Sequence, residues 1–462
     1  MDNQQRDKIP SKVFAAIVAT GLMSFSGVIV ETSMNIAFPT LMRQFGISTN
    51  VVSWMTSIYL LAISIIVPIS AILKSSYKTK NLFLTANILF LIGLIIDALA
   101  PSFVILLLGR VIQGIATGIA LPLMFNIILE QVPRGKIGTM MGFGNLITGT
   151  APALGPTFGG IVINSLGWRW VFYILIPFIL ISLFLGLWGI EQKSVLHKQK
   201  IDKISFLLIA VFFTGMIYGF SNLSSNSWLK IALPIVIALV AGIFLVKRTQ
   251  KLDHPLLDLQ LLKNKYFAAS VLGFFLIQMC SLGNAFLIPN YVQLVNGNTA
   301  MVAGLLVLPA GCFGALMGPI GGRLLDKHGA RRVILTGVVM MLVQLALFTI
   351  FAKSMNNLFI SLVYIIYMAG MGMILGDVMT YALSRVGQPK TTQGNAILST
   401  VQQFAGAVGT SITSAIVAFS QAGMGSKGPT ATALGTQFAY IFLLVIAVVI
   451  FLMFLKYVRD EK

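Results

Sequence analysis

Fourteen long stretches of apolar residues, separated by short polar segments, set the strongest limit on how this chain can fold. A helix needs about 20 mostly apolar residues to cross a hydrocarbon layer about 30 Å thick. The runs lack the alternation of apolar and polar residues that a membrane β-barrel shows. The sequence therefore predicts an all-α polytopic membrane protein with fourteen transmembrane helices. The predicted spans are, approximately, 13–42, 50–73, 82–99, 103–129, 137–164, 169–190, 204–222, 228–246, 266–290, 299–320, 333–351, 357–383, 393–420 and 431–455.

The scarcity of charge supports the same prediction. Only 10% of the 462 residues are charged and the mean hydropathy is +0.91. Soluble domains carry about 25% charged residues, so this chain has less than half the charge expected of one. A soluble enzyme, a disordered chain and a secreted disulfide scaffold are therefore excluded.

The net charge of +19 is explained by where lysine and arginine lie. Most of the 32 basic residues fall in alternate loops, beginning with the N-terminal segment, and such loops face the cytoplasm in membrane proteins. The positive charge therefore requires no nucleic-acid partner. We expect a multi-pass protein of the cell membrane with both termini in the cytoplasm.

A short internal repeat divides the chain into halves. The second predicted span ends at Pro68-Ile-Ser-Ala and the tenth at Pro319-Ile-Gly-Gly, and a basic segment follows each. Pairing these two spans makes spans 1–6 equivalent to spans 9–14, with spans 7 and 8 inserted. Repeated halves with a site between them are typical of secondary transporters. The predicted organisation is a six-helix bundle over 1–192, a linker with the inserted pair over 193–262, and a second bundle over 263–462.

Ionisable residues inside predicted spans are the first candidates for function, because an acid or base at the centre of a span costs about 2.5–3.5 kcal/mol. Glu31 in span 1 and Asp377 in span 12 are the acids placed deep in the membrane. Arg110 in span 4 keeps its charge and needs a carboxylate, carbonyl or water partner. Gln113 lies about one turn further on the same helix face. Four alternatives to a transport role remain open. Glu31 could be a capped structural acid near the outer mouth, and Arg110 could snorkel to the outer interface. Asp377 could form a structural ion pair, and Gln113 a helix–helix hydrogen bond.

Two further motifs concern helix packing and gating. The glycines of span 5 form a smooth face for close helix contact next to a proline bend, at Gly155, Pro156, Gly159 and Gly160. The segment between spans 10 and 11 combines glycines, one acid and several bases, which suits a charge latch at the inner gate. An ordinary basic loop is the alternative, although it explains neither the acid nor the glycines. The candidate gating residues of this segment are Gly322, Asp326, Gly329, Arg331 and Arg332.

The sequence offers little for other chemistry. No GxxxxGK[ST] pattern occurs, so no P-loop for ATP is predicted. No histidine and acid cluster or serine and histidine pair falls within the predicted spans, which argues against a membrane-embedded enzyme. We expect neither a cofactor nor a metal site.

These residues resemble motifs of the major facilitator superfamily, and within it of the fourteen-helix drug:proton antiporters of the lincomycin-resistance type. The segment 322–332 is similar to the superfamily signature GxLaDrxGrr, and the region around Arg110 is similar to the RxxQG motif of helix 4. The glycines and proline of span 5 are similar to the antiporter motif. Glu31 lies in a helix 1 pattern that resembles the one in these antiporters, with glutamate where aspartate is usual.

The resemblance implies a major facilitator fold, with two six-helix bundles and two inserted helices. It also implies export of lipophilic drugs, cationic ones included, in exchange for protons. Glu31 would carry the proton, and Arg110 would tune the pKa of Glu31. Asp377 would be the next candidate for the proton carrier. The protein would act as a monomer whose partners are drugs, protons and the lipid bilayer. The residues expected to line the substrate cavity are Phe25, Asn35, Trp54, Tyr59, Gln113 and Gln402.

Two other functions remain open at this point. The first is export of a physiological lipid, peptide or metabolite, with drugs as incidental substrates. The second is a membrane sensor or scaffold that transports nothing. A sensor would need neither an acid inside the membrane nor the glycine face of span 5, and it would be expected to carry a soluble signalling domain.

Overall fold

The computed structural model describes residues 9–459 apart from 134–136, 193–195, 197–200, 224–226, 253–254, 388–389 and 425–427. The described chain consists of long helices joined by short connections. These helices are α1 (Ser11–Ile36), α2 (Thr49–Ile69), α3 (Thr79–Leu99), α4 (Phe103–Gln131), α5 (Ile137–Ser165), α6 (Arg169–Gly189), α7 (Lys203–Ser221), α8 (Trp228–Thr249), α9 (Lys265–Leu294), α10 (Ala300–His328), α11 (Ala330–Phe351), α12 (Asn357–Ser384), α13 (Thr391–Gly423) and α14 (Pro429–Tyr457).

The prediction of an all-α polytopic membrane protein is confirmed. Within the described residues, thirteen helices are long and apolar enough to cross a membrane, and α5 is a further helix of 29 residues. Each predicted span corresponds to one of the helices α1–α14. Large apolar side chains on the perimeter of the bundle stay exposed, as expected for helices that face lipid tails.

The first predicted span, 13–42, is divided in the structure. α1 ends at Ile36, and a separate short helix runs over Phe38–Phe45 until Gly46, which has a φ of +66°. Pro39 lies in the first turn of the short helix. Because proline has no backbone N–H, it cannot continue the hydrogen-bond ladder of α1. Pro39 is therefore the residue of the sequence that signals this break.

The two groups of six helices pack in the same way. In the first group α3 packs on α4 and α6, α1 on α5 and α6, and α2 on α4. In the second group α11 packs on α12 and α14, α9 on α13 and α14, and α10 on α12. Adding eight to each helix number converts the first set of pairs into the second. This symmetry supports the pairing of helix 2 with helix 10 that the proline repeat predicted.

Contacts between the two groups follow the same symmetry. α2 packs against α13, and α5 packs against α10. Each interface therefore joins the second helix of one repeat to the fifth helix of the other. A site enclosed by the two groups must be lined in part by these four helices.

The inserted pair, α7 and α8, lies outside the two groups. α7 packs on α8, α13 and α2, and the rings of Phe213 and Phe404 stack with centroids 4.5 Å apart. α8 leaves most of its apolar side chains exposed, which fits a lipid-facing position. Asp202 caps α7 and accepts two hydrogen bonds of 2.7 Å from Arg248 at the end of α8. These bonds hold the pKa of the Asp202 carboxyl well below its usual range.

The predicted latch segment between α10 and α11 is mostly helical. α10 continues to His328, and Gly329 with a φ of +82° is the one residue between it and α11. No helix-breaking residue occurs from Arg323 to His328, so α10 extends beyond its apolar part. The structure therefore replaces the predicted loop with a sharp helix-to-helix turn at Gly329.

Candidate functional site

Arg110 is fully buried in α4, two turns from the start of that helix. Its Nε donates to the carbonyl oxygen of Met55 at 3.1 Å, and its Nη1 donates to Oε1 of Gln113 at 2.7 Å. The guanidinium carbon lies 4.1 Å from the ring centroid of Tyr59. Nη2 has no hydrogen-bond partner among the described residues. Arg110 therefore does not extend to the membrane surface, and neutral groups hold it while Nη2 stays unbonded in the part of the chain that the structure describes.

Close packing of α4 on α2 creates this environment. A Cβ at Gly114 would lie 2.6 Å from the carbonyl oxygen of Tyr59, so a larger residue would push the two helices apart. Tyr59 is buried beneath Arg110, and its hydroxyl lies 3.0 Å from both the Gly27 carbonyl and the Thr117 Oγ1. A cation over a desolvated aromatic face gains about 2 kcal/mol. The RxxQG pattern thus places on one helix both Arg110 and Gly114, the glycine that allows α4 to pack closely on α2.

Two carboxyl groups lie within electrostatic range of Arg110. Glu31 in α1 is partly exposed, whereas Asp97 in α3 is completely buried. Neither forms an ion pair with the guanidinium in the described part of the chain. Glu31 is therefore the member of this group that a ligand or water can reach, and Arg110 supplies a fixed positive charge near it.

The predicted cavity residues fall into two sets. Asn35, Tyr59 and Gln113 are buried, and Oδ1 of Asn35 accepts a hydrogen bond of 2.7 Å from Thr56. Phe25, Trp54 and Gln402 are partly exposed. Trp54 packs beside Tyr218 of α7, with ring centroids 6.2 Å apart. The structure thus brings Tyr59 and Gln113 to Arg110, and it places Trp54 beside the inserted pair.

The glycine face of α5 packs against both α1 and α10. A Cβ at Gly155 would overlap Thr32 of α1, and one at Gly159 would lie 2.7 Å from the Ser33 carbonyl oxygen. On the adjoining face, a Cβ at Gly160 would lie 2.6 Å from the Ala300 carbonyl oxygen of α10. Thr157 also donates to the carbonyl of Gly304 at 3.0 Å. Gly155 and Gly159 therefore allow close packing within the first group, and Gly160 allows close packing between the two groups.

Hydrogen bonds between the two groups occur at one end of the molecule in the described structure. We call this the distal end, meaning the end of the helices opposite to the chain termini. Each of these bonds joins a helix of the first group to a helix of the second in the half of the molecule nearer that end. They are Thr49–Gln421 at 2.7 Å, Ser53–Ser414 at 2.8 Å, Ser57–Ser411 at 3.0 Å, Ser57–Ala407 at 3.4 Å, Gln293–Ile36 at 3.0 Å and Thr157–Gly304 at 3.0 Å. The distal end is therefore closed in this conformation.

The remaining predicted residues lie in the second group, away from Glu31. Asp377 is buried in α12 beside Gly321 of α10, where a Cβ would lie 3.3 Å from its Oδ2. Gly322 has open space around it, and Arg332 is exposed. Arg331 is partly buried in the first turn of α11. The side chain of Asp326 lies outside the described residues, so the latch remains a prediction.

The contact between Gly160 and α10 leads to a testable expectation. Gly160→Ala should impede closure of the distal end, because overpacking costs about 1–3 kcal/mol and about 1.4 kcal/mol changes a population tenfold. Drug transport in vesicles should fall severalfold, while Gly423→Ala, at an exposed glycine with open space, should leave the rate unchanged. Equal rates for the two variants at equal protein levels would contradict this role of Gly160.

Two features of the site did not emerge from the sequence. Asp97 follows an apolar run near a helix end, a position that indicates an interface residue, yet it is buried near Arg110. The serines at the distal end, Ser53 and Ser57 in α2 and Ser411 and Ser414 in α13, pair across the two groups. Their spacing of three or four residues signals a polar helix face, although it does not identify the partner helix.

The sequence was compared with protein families and with individual proteins. The profile of the Major Facilitator Superfamily matches residues 20–410. The lincomycin resistance protein LmrB of Bacillus subtilis is 34% identical over 451 residues, which cover 95% of this chain and 94% of that protein. The multidrug export protein EmrB of Haemophilus influenzae is 28% identical, over 86% of this chain and 79% of that protein.

Solved structures agree with the fold. A bacterial homologue of the human lysosomal transporter Spinster, in an inward-facing and unoccupied conformation, matches with a TM-score of 0.71 at 16% identity. The match covers 98% of this chain and 99% of that one. A D-xylose-proton symporter matches with a TM-score of 0.68 at 15% identity, over 97% and 98% of the two chains. The chain therefore belongs to the major facilitator superfamily of membrane transporters, which are not enzymes.

Proposed function

We propose that this protein is a proton-coupled antiporter that exports lipophilic drugs, cationic ones included, by alternating access. The observation that carries the proposal is the partly exposed carboxylate of Glu31 within electrostatic range of the buried Arg110. An acid inside a membrane bundle is costly and is by default a functional group. The names of the relatives, which refer to lincomycin and multidrug resistance, support the substrate class.

Coupling follows from competition at Glu31. A carboxyl group that holds a proton is neutral, whereas the ionised form attracts a cation or accepts a hydrogen bond from a drug. Release of the drug on one side and of the proton on the other then requires the same group to face each side in turn. Arg110 favours the ionised form by its charge, so deprotonation of Glu31 does not leave an uncompensated negative charge in the bundle. Phe25, which is partly exposed, would supply apolar surface for a lipophilic drug.

Alternating access requires the two groups of helices to move against each other. We propose residues 1–192 and 263–462 as the moving bodies, with α7 and α8 following them. The distal serine contacts and the glycine face of α5 would close one end. Asp326, Arg331, Arg332 and the turn at Gly329 would close the other, with Asp377 beneath them in α12. The interfaces of α2 with α13 and of α5 with α10 are the surfaces that must separate.

The proposed orientation places the distal end outside the cell. Both termini are then cytoplasmic, in agreement with the concentration of lysine and arginine in the loops at that end. In this orientation the end that is closed in the structure is the outer one. A monomer suffices for transport, because both groups that enclose the site belong to one chain.

The test is drug uptake by everted membrane vesicles whose lumen is made acidic, so that protons flow out of the vesicle as drug moves in. Lincomycin is the first probe, since relatives are named for resistance to it. Collapse of the gradient with a protonophore should stop uptake, and addition of ATP without a gradient should not restore it. Drug uptake that needs ATP and is not reduced by the protonophore would contradict proton coupling. Absence of drug uptake under every condition would favour export of another metabolite.

A further inference from the structure

Asp97 is a buried carboxyl group that the proposed mechanism does not use. It lies in the last turn of α3 and has 0% exposure. Neither of its oxygens has a hydrogen-bond partner among the described residues. Burial of a polar group without a partner costs free energy, and burial of an unpaired charge costs much more. An apolar side chain would be more favourable here if the role of Asp97 were structural.

The surrounding helices leave room for this carboxyl. A Cβ at Gly109 of α4 would overlap Oδ1 of Asp97, so the carboxyl occupies the space that a side chain at position 109 would take. One turn earlier on α3, a Cβ at Gly93 would lie 3.0 Å from the carbonyl oxygen of Gly109. Two glycines thus bring α3 and α4 together and place Asp97 beside the residue that precedes Arg110.

The charges around Asp97 come from two packed helices. From α4, Arg110 lies within electrostatic range, with its Nη2 unpartnered in the described structure. From α6, the first residue is Arg169, whose guanidinium donates to the carbonyl of Ala100 at 2.8 Å and stacks on Trp168. Glu31 is also within electrostatic range of Arg110, so the guanidinium has two candidate carboxylate partners and is bound to neither.

We propose that Asp97 is a second proton-binding residue of the transport cycle, and that Arg110 pairs with it in the state where it has lost its proton. In the conformation described here Asp97 holds a proton, which allows the carboxyl to be buried without an ionic partner. When drug binds from the cytoplasmic side, the O–H bond breaks, the proton passes to water on that side, and the guanidinium of Arg110 turns its free Nη2 to the carboxylate. This proposal rests on the proposed proton-coupled function.

The position of Asp97 fits this role. It lies beneath the closed distal end, as do Glu31 and Arg110, and the three residues belong to α3, α1 and α4 of one helix group. A cationic drug at Glu31 takes over the charge compensation that Arg110 provides there and frees the guanidinium for Asp97. Drug binding therefore favours loss of the proton from Asp97 as well as from Glu31.

The experiment measures coupling in proteoliposomes. For the wild type and each variant, the drug gradient at which net flux is zero is determined at several imposed membrane potentials. Asp97→Asn, which keeps the shape of the neutral acid, should couple one proton fewer per drug molecule. The drug gradient it sustains should be roughly 50-fold smaller at 100 mV, because one charge moved through 100 mV corresponds to about 2.3 kcal/mol and about 1.4 kcal/mol is tenfold. Glu191→Gln, a control at an exposed ion pair with Lys12, should couple as the wild type does.

Infrared difference spectroscopy gives a readout that a structural role would not change. A protonated carboxylic acid has a carbonyl band separate from that of the carboxylate. We expect drug addition to remove such bands in the wild type, and one of these bands to be absent from Asp97→Asn but present in Glu31→Gln before drug is added. If Asp97→Asn does not accumulate, Asp97→Ala removes the same group and is measured in its place.

The outcomes separate the two proposals. A wild-type protein whose flux ignores both potential and pH would refute the proposed function itself. The wild type could be proton-coupled while the Asp97 variants couple the same number of protons per drug molecule and no drug-dependent band belongs to Asp97. That result would overturn the present inference alone. In that case Asp97 would be a permanently neutral packing residue.

Discussion

Replacement of Glu31 by glutamine is expected to abolish export against a drug gradient while leaving downhill drug movement intact. Glutamine keeps the size and hydrogen-bonding capacity of the acid but cannot exchange a proton. Because Glu31 is the partly exposed acid near Arg110, its loss removes the competition between drug and proton. Proteoliposomes loaded with drug on one side, with and without a proton gradient, measure both kinds of movement.

Two variants control this experiment. Glu31→Asp retains a carboxyl group of the kind usual in the drug:proton antiporters that the chain resembles, and it should still pump. Glu191→Gln removes an acid of equal size from an exposed ion pair, where the contribution to stability is about 0–1 kcal/mol, and it should behave as the wild type. Uphill export by Glu31→Gln at the wild-type rate would show that the coupling acid lies elsewhere, with Asp97 and Asp377 as the remaining candidates.

A disulfide across the distal end is expected to arrest transport completely. The side-chain oxygens of Ser53 and Ser414 are 2.8 Å apart, and each belongs to a different helix group. Cysteines at these two positions should therefore form a disulfide, whose sulfur–sulfur distance is about 2.0 Å. If the two groups must separate here in every cycle, the oxidised double variant should show only background flux.

Reduction of the same double variant should restore transport, and each single cysteine variant should be insensitive to oxidant. The native cysteines do not complicate the experiment if Cys312, which is exposed, is replaced by serine, because Cys280 is buried. Full transport by the crosslinked protein would contradict the proposed movement of α2 against α13. It would then be necessary to place the moving interface elsewhere.

The sequence determined the number, type and order of the helices. An apolar run must span about 30 Å of hydrocarbon and satisfy its own backbone hydrogen bonds, so length and composition are sufficient to predict α1–α14. Pro39 and Gly329 mark boundaries that a hydropathy count misses, because proline lacks a donor and glycine tolerates a positive φ. The family followed from short motifs such as the one around Arg110, and the comparisons confirmed it.

Tertiary structure decided which polar residues meet. Periodicity places Arg110 and Gln113 on one face of α4, but the carbonyl of Met55 and the ring of Tyr59 come from α2. Inside a lipid bilayer the apolar faces of a helix are nearly equivalent, so the sequence of one helix does not determine its rotation relative to its neighbours. Small residues and interhelical hydrogen bonds determine it, and these act only once the partner helix is present.

Asp97 shows most clearly what the sequence alone does not determine. Its position near the end of an apolar run predicts a residue at the membrane surface, and only the contact with Gly109 shows that it is buried near Arg110. The sequence by itself therefore determined a multi-pass membrane protein with an acid in α1 and an arginine in α4. Helix packing decided that a second acid shares this arginine, because burial and charge depend on what surrounds a side chain in three dimensions.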